Sequence, residues 1–129
     1  MTRVLLDTHL LLWSQQDPER LPVEFLELIV SPDTEPTFST ASIWEVAIKH
    51  SQQRADFNVH PGLLRGRLLE SGFSELPVLG EHGVAVAALP WVHKDPFDRL
   101  LVAQAIVEGI VLLTADTTLG RYPGPIRVF

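Results

Sequence analysis

Asp95-Pro96-Phe97-Asp98-Arg99-Leu100-Leu101-Val102-Ala103-Gln104-Ala105-Ile106-Val107-Glu108-Gly109, followed at once by Ile110-Val111-Leu112-Leu113-Thr114-Ala115-Asp116, is the stretch whose reading decides the fold. Asp95 suits a helix N-cap, and Pro96 suits the first helical position, where a missing N–H costs little. Gly109 suits the left-handed residue just past the end, so a helix is expected over Asp95–Glu108. Ile110–Leu113 is a short unbroken apolar run, the pattern of a strand buried on both faces of a parallel sheet. Asp116 follows it closely. In an open α/β sheet, sites form just beyond the carboxyl ends of the strands, so this acid lies where chemistry is expected.

The same alternation recurs toward the N-terminus. Val4-Leu5-Leu6 reads as another buried central strand, ending at Asp7, and a helix is expected from Thr8 to Gln16 before Pro18. Residues 21–30 carry apolar side chains at helical spacing (Leu21, Phe25, Leu28, Ile29), with Pro22 near the first turn. Pro36-Thr37-Phe38 is a candidate strand, and helices are expected over residues 40–53 and 61–70, before Gly72. Leu76-Pro77-Val78 is at best a short edge strand, because Pro cannot donate to a ladder. A helix is expected over Gly83–Leu89, stopped by Pro90, and a terminal strand over Ile126–Phe129. Strands alternating with helices predict one α/β domain over residues 1–129, a three-layer α/β/α arrangement with a central, mainly parallel sheet.

Bulk composition agrees. A chain of 129 residues with 46% hydrophobic and 20% charged residues can bury a single core and is far from disordered composition. The absence of Cys excludes disulfides and thiolate metal sites. After Thr2 and Arg3 only Val4, Leu5 and Leu6 precede the first acid, too few for a signal-peptide core of roughly 7–15 residues, and no run approaches the roughly 20 apolar residues that span a bilayer. A cytoplasmic protein without a membrane partner is expected. The net charge of −6 argues against gripping nucleic acid through an overall positive field. It leaves room for a nuclease, because divalent cations bound by clustered acids reverse the local field where a phosphate must sit.

Four acids stand out, and each has a structural alternative. Asp7 suits a cap for the helix beginning at Thr8, and Asp116 an Asx turn into Thr117-Thr118-Leu119. Ser42-Ile43-Trp44-Glu45 fits a capping box, and Glu45 and Lys49 are an i,i+4 pair. Asp98 lies in a first helical turn, where negative charge suits the helix dipole. Asp98 also shares a face with Leu101, Val102 and Ala105, which are expected to pack on the sheet. A carboxylate there should be paired or bound to metal. Two strand-end acids and two acids near helix starts can meet in one pocket, where oxygen ligands suit Mg²⁺ or Mn²⁺.

Leu5-Leu6-Asp7-Thr8-His9, Ser39-Thr40-Ala41-Ser42-Ile43-Trp44-Glu45, His93-Lys94-Asp95-Pro96-Phe97-Asp98-Arg99 and Leu113-Thr114-Ala115-Asp116 occur in the order and approximate spacing of the PIN-domain superfamily. The pattern most resembles its VapC-type ribonuclease toxins, over essentially the whole chain. The resemblance implies that Asp7, Glu45, Asp98 and Asp116 form the catalytic quartet. Asp7, Asp98 and Asp116 would hold Mg²⁺ or Mn²⁺, Glu45 would bind metal or orient water, and Thr8 and Thr114 would support them. The implied reaction is hydrolysis of an RNA phosphodiester by metal-activated water. A homodimer and a separate antitoxin partner are implied as well. Residues 51–56 depart from the Gly-Lys-Leu-like turn common in relatives.

Lys94 and Arg99 flank Asp98 as candidate RNA contacts, with salt-bridge or surface roles as the alternative. His9, His50, His60, His82 and His93 show no paired zinc-like spacing and are read as structural or surface groups. Trp13, Trp44 and Trp91 are read as core aromatics before base-stacking ones. Two other functions compete. A phosphoacceptor receiver domain would show adjacent acids after its first strand and a late Lys, whereas Asp7 is followed by Thr8-His9 and no Lys lies beyond Lys94. A non-catalytic interaction module of the same fold would have no need to keep all four acids.

Overall fold

The computed structural model describes residues 1–129. Along the chain run β1 (Thr2–Leu6), α1 (Thr8–Gln16), α2 (Val23–Val30), β2 (Thr34–Ser39), α3 (Thr40–Ser51), α4 (Pro61–Glu70), β3 (Ser74–Leu76), α5 (Gly80–Val86), α6 (Pro96–Glu108), β4 (Val111–Thr114) and β5 (Ile126–Val128). Single 3₁₀ turns at Pro18–Arg20, Ala55–Phe57 and Leu119–Arg121 complete the connections. The five strands form one wholly parallel sheet in the order β3-β2-β1-β4-β5. β3 is an edge strand and stops before Pro77, whose missing N–H ends the ladder.

Side-chain alternation along the central strands separates two cores. Val4 and Leu6 of β1 and Leu113 of β4 face a core shared with Leu10, Leu11 and Leu12 of α1, Phe25 of α2, Val46 of α3, and Leu64 and Leu68 of α4. Leu5 and Leu112 face the opposite way, into a second core with Leu101, Val102, Ala103 and Ala105 of α6. Helices on both faces of a parallel sheet give the three layers.

The α6–β4 segment follows its sequence signals closely. The Asp95 side chain accepts hydrogen bonds from the backbone N–H of Phe97 and Asp98, Pro96 opens the helix, and Gly109 ends it at φ 68°. Two expectations shift. α5 begins at Gly80 and ends at Val86, instead of running over Gly83–Leu89, because His82 turns back to accept the Leu79 backbone N–H at 2.9 Å. That contact is half of a capping box, made by a residue type that rarely signals one. The Ser42–Glu45 capping box does not form either. Ser39 caps α3 by accepting the Ala41 N–H at 3.0 Å, which places Ser42 and Glu45 inside the helix and buries both.

Candidate metal centre

The chain leaves β1 toward β2 on one side of the sheet, and β4 lies on the other side. The crevice between the carboxyl ends of β1 and β4 is therefore a topological switch point. Asp7 follows β1 there, and Asp116 lies two residues beyond the end of β4. Asp7 is nearly fully buried. One of its oxygens caps α1 by accepting the Leu10 N–H at 2.9 Å, and the other accepts the Thr114 hydroxyl from the neighbouring strand. Thr114 Oγ1 in turn accepts the Asp116 backbone N–H at 3.0 Å, and Asp116 Oδ1 accepts that of Thr118 at 2.9 Å. The cap and Asx-turn readings of Asp7 and Asp116 are thus satisfied by one oxygen of each carboxylate.

Glu45 enters from α3. Its Oε1 accepts the Thr8 hydroxyl at 2.6 Å, its Oε2 accepts Lys49 Nζ at 2.5 Å, and Thr8 Oγ1 also lies 3.0 Å from Ser42 Oγ. Both oxygens of Glu45 are thus engaged, as are both of Asp7. Asp98, on the first turn of α6, is the opposite case. It makes no hydrogen bond through its carboxylate, and the only charged-type partner near it is His93, with Nε2 at 3.6 Å from Oδ2.

Electrostatics register the convergence. Burial, foremost, and then the negative charges of Asp95, Asp7, Glu45 and Asp116 push the Asp98 carboxyl up to about 8. Burial likewise raises Asp7, against the lowering effect of its bonds from Thr114 and Leu10. Acids from two strand ends and two helices thus bear on one point. The set fits a hard divalent cation: Asp98 and Asp116 offer ligand atoms within 4.8 Å of each other, and the half-buried Asp98 carboxylate has no hydrogen-bonded partner. Asp98 and Asp116 are partly exposed at this end of the sheet, whereas Asp7 and Glu45 are buried.

Other candidates are placed differently from their sequence reading. Arg99, read as a candidate RNA contact with a salt-bridge or surface alternative, instead lies inside the fold. It is buried, and its guanidinium donates to the carbonyls of Pro90 and Val86 and to the Tyr122 hydroxyl while stacking 4.2 Å from the Trp91 ring centroid. Lys94 is exposed and makes no ion pair. Trp44 and Trp91 are 60% and 83% exposed, not core residues, and Trp44 meets Phe97 edge to face at 5.2 Å beside Glu45 and Asp98.

Sequence reasoning missed His93. Its Nε2 lies 3.4 Å from Asp116 Oδ2 as well as near Asp98, so the three side chains offer ligand atoms within 4.8 Å of one another. The only available signal was its place just ahead of the Asp-Pro-Phe-Asp segment. A second cluster, Glu81, His82 and Glu108, lies on α5 and α6, where His82 Nε2 and Glu108 Oε2 approach to 2.9 Å.

Comparisons with known proteins agree with this fold. The PIN domain family profile matches residues 4–125. Ribonuclease VapC22 of Mycobacterium tuberculosis is 32% identical over an alignment covering 100% of both chains. Among solved structures, VapBC2 of Rickettsia felis bound to a DNA fragment from its promoter superimposes with a TM-score of 0.75 at 15% identity, over 98% of each chain. DNA-bound VapBC of Salmonella typhimurium superimposes with a TM-score of 0.67 at 18% identity, over 100% of this chain and 98% of the other.

Proposed function

The chain belongs to the PIN domain family, in the branch of its VapC ribonuclease relatives, and from that premise we propose that it is a Mg²⁺- or Mn²⁺-dependent endoribonuclease, the toxin of a type II toxin-antitoxin pair. The observation that carries this reading is the convergence of Asp7, Glu45, Asp98 and Asp116 beyond the carboxyl ends of β1 and β4, where the other acids bear on Asp98. A receiver domain is not favoured, since neither its paired acids nor its late Lys has a counterpart here.

Asp7, Asp98 and Asp116 would hold the metal. Asp98 contributes a carboxylate free of hydrogen bonds, Asp116 keeps one oxygen without a hydrogen bond, and Asp7 is oriented by a bond to each oxygen and would offer the remaining lone pairs. When bound, Mg²⁺ or Mn²⁺ would supply positive charge to the scissile phosphate and acidify water at the site. Glu45 is assigned to orienting that water and receiving its proton, because Thr8 and Lys49 hold its two oxygens in fixed directions. Thr114 keeps Asp7 and the start of the Asp116 turn in register. Lys94, exposed near Asp98, is the remaining cation for the RNA backbone. The protein is further proposed to form a homodimer, to be neutralised by a separate antitoxin and to act in the cytoplasm; no helix is long and apolar enough to cross a membrane.

The test is cleavage of structured RNA by rigorously purified protein with Mg²⁺ or Mn²⁺. Activity should vanish with excess EDTA and with Asp7→Asn in folded protein. Undiminished cleavage in EDTA would rule the mechanism out.

A further inference from the structure

We infer that His93 is a positioning residue of the acidic site: its ring N–H faces Asp98 and Asp116 together and braces them for the metal, and a clamp of Tyr122 and Arg99 holds it in that orientation. This inference rests on the metal-dependent reading above. His93 Nδ1 accepts the Asp95 backbone N–H at 3.0 Å, so in the neutral ring the single proton is on Nε2. Nε2 lies 3.6 Å from Asp98 Oδ2 and 3.4 Å from Asp116 Oδ2. These separations exceed ordinary hydrogen bonds and describe one N–H dipole shared between two carboxylates. Ligation of a metal through Nε2 would send the ring proton to Nδ1, where it would oppose the Asp95 N–H, donor against donor. His93 therefore serves the two acids without joining the ligand set.

The backbone of His93 is fixed just as closely. The Tyr122 hydroxyl accepts the His93 N–H at 2.8 Å and lies 3.2 Å from the His93 carbonyl, to which it donates. Arg99 Nη1 donates to the same hydroxyl at 3.1 Å and to the Pro90 carbonyl at 2.9 Å. Tyr122 and Arg99 are both buried, and no carboxylate lies within salt-bridge distance of Arg99. A buried guanidinium with only carbonyls, a phenol and a Trp face as partners is a costly feature unless its geometry matters. Here it fixes the connection between α5 and α6 from which His93 reaches the acids. The Asp95 N–H that orients the ring and the Asp95 carboxylate that caps α6 belong to the same residue, so ring and helix start are set together.

The experiment is Mn²⁺ titration of the full chain, free Mn²⁺ being followed by electron paramagnetic resonance, for the parent, His93→Ala, His93→Gln and Tyr122→Phe, with circular dichroism reporting the fold. Loss of a group that orients metal ligands typically weakens affinity about 10–100-fold, and His93→Ala should fall in that range. His93→Gln, whose amide keeps an N–H, should recover most of the affinity, and Tyr122→Phe should lie between. Pulsed spectra of bound Mn²⁺ should show no nitrogen coupling that His93→Gln removes. Such a coupling would make His93 a ligand and overturn the inference, as would parental affinity in His93→Ala or, should that variant not fold, in Tyr122→Phe. A parent that binds no Mn²⁺ overturns the metal-dependent reading and this inference with it; a parent that binds while the variants bind equally well overturns the inference alone.

Discussion

Asp98 has a sequence environment ordinary for a helix-start acid and a structural environment that is not. A first-turn acid facing solvent would gain from the helix dipole, and replacing it would cost about 0.3–1 kcal/mol. Asp98 is instead crowded by four acids and partly buried, which pushes its carboxyl up to about 8 from 3.8. An acid raised in this way holds its proton longer in the folded chain than in the unfolded one. The stability tied to that proton is complete below the unfolded value and is lost as pH rises through the folded one. In EDTA the parent should therefore lose stability relative to Asp98→Asn between about pH 4 and 8, and the variant should be at least as stable above pH 8. Added Mg²⁺ or Mn²⁺ should stabilise the parent by mass action and the variant less. Denaturant melts across that range decide it: a variant that melts lower throughout and gains equally from metal returns Asp98 to a plain helix-start role. Glu45 and Lys49 change standing too. The i,i+4 spacing alone implies an exposed pair worth roughly 0.2–0.5 kcal/mol. The structure shows side chains only 3% and 15% exposed at 2.5 Å, so Lys49→Met should cost about 3 kcal/mol, as breaking a buried pair does. A loss within the exposed-pair range in urea melts would contradict the burial argument. Glu45→Gln breaks the same pair and should lower stability too, but unlike Lys49→Met it should reduce RNA cleavage per folded molecule by about 100-fold or more. All four acids were legible as single residues with local alternatives. His93 was not, because its contact with Asp116 exists only once the end of β4 meets the start of α6.

Elements were read best where backbone chemistry marks both ends. α1 and α4 occupy the residues expected of them, and α6 differs only in that its cap, Asp95, lies outside the helix. α5 was displaced because its start depends on a His82 contact that carries no common sequence signal. α3 was placed well, but its cap was assigned to the wrong serine. Ser39 ends β2 as it caps α3, and a residue serving two elements is hard to divide by pattern alone. Gly109 offers a clean test of the α6–β4 junction. Its φ is 68°, and a Cβ built there meets nothing within 4 Å, so Gly109→Ala carries backbone strain without a clash. The substitution should lower stability by roughly 1 kcal/mol and leave RNA cleavage per folded molecule unchanged. A neutral effect in chemical denaturation would mean that the junction relaxes out of the left-handed conformation.

At the scale of the molecule, alternating strands and helices sufficed to foresee the layers, because only a parallel sheet covered on both faces buries the runs Val4–Leu6 and Ile110–Leu113. Strand order was not written in any one segment. It emerges from crossovers that place β1 between β2 and β4, and that placement brings Asp7 beside Asp116. Four of the chain's 16 acids bear on this end of the sheet, where Asp7, Asp98 and Asp116 are proposed to hold a cation. Manganese anomalous diffraction from crystals grown with Mn²⁺ tests this most directly. The account requires a peak about 2 Å from carboxylate oxygens of Asp7, Asp98 and Asp116, with His93 nearby but not coordinating. No peak in that crevice, or one only among Glu81, His82 and Glu108, would contradict it.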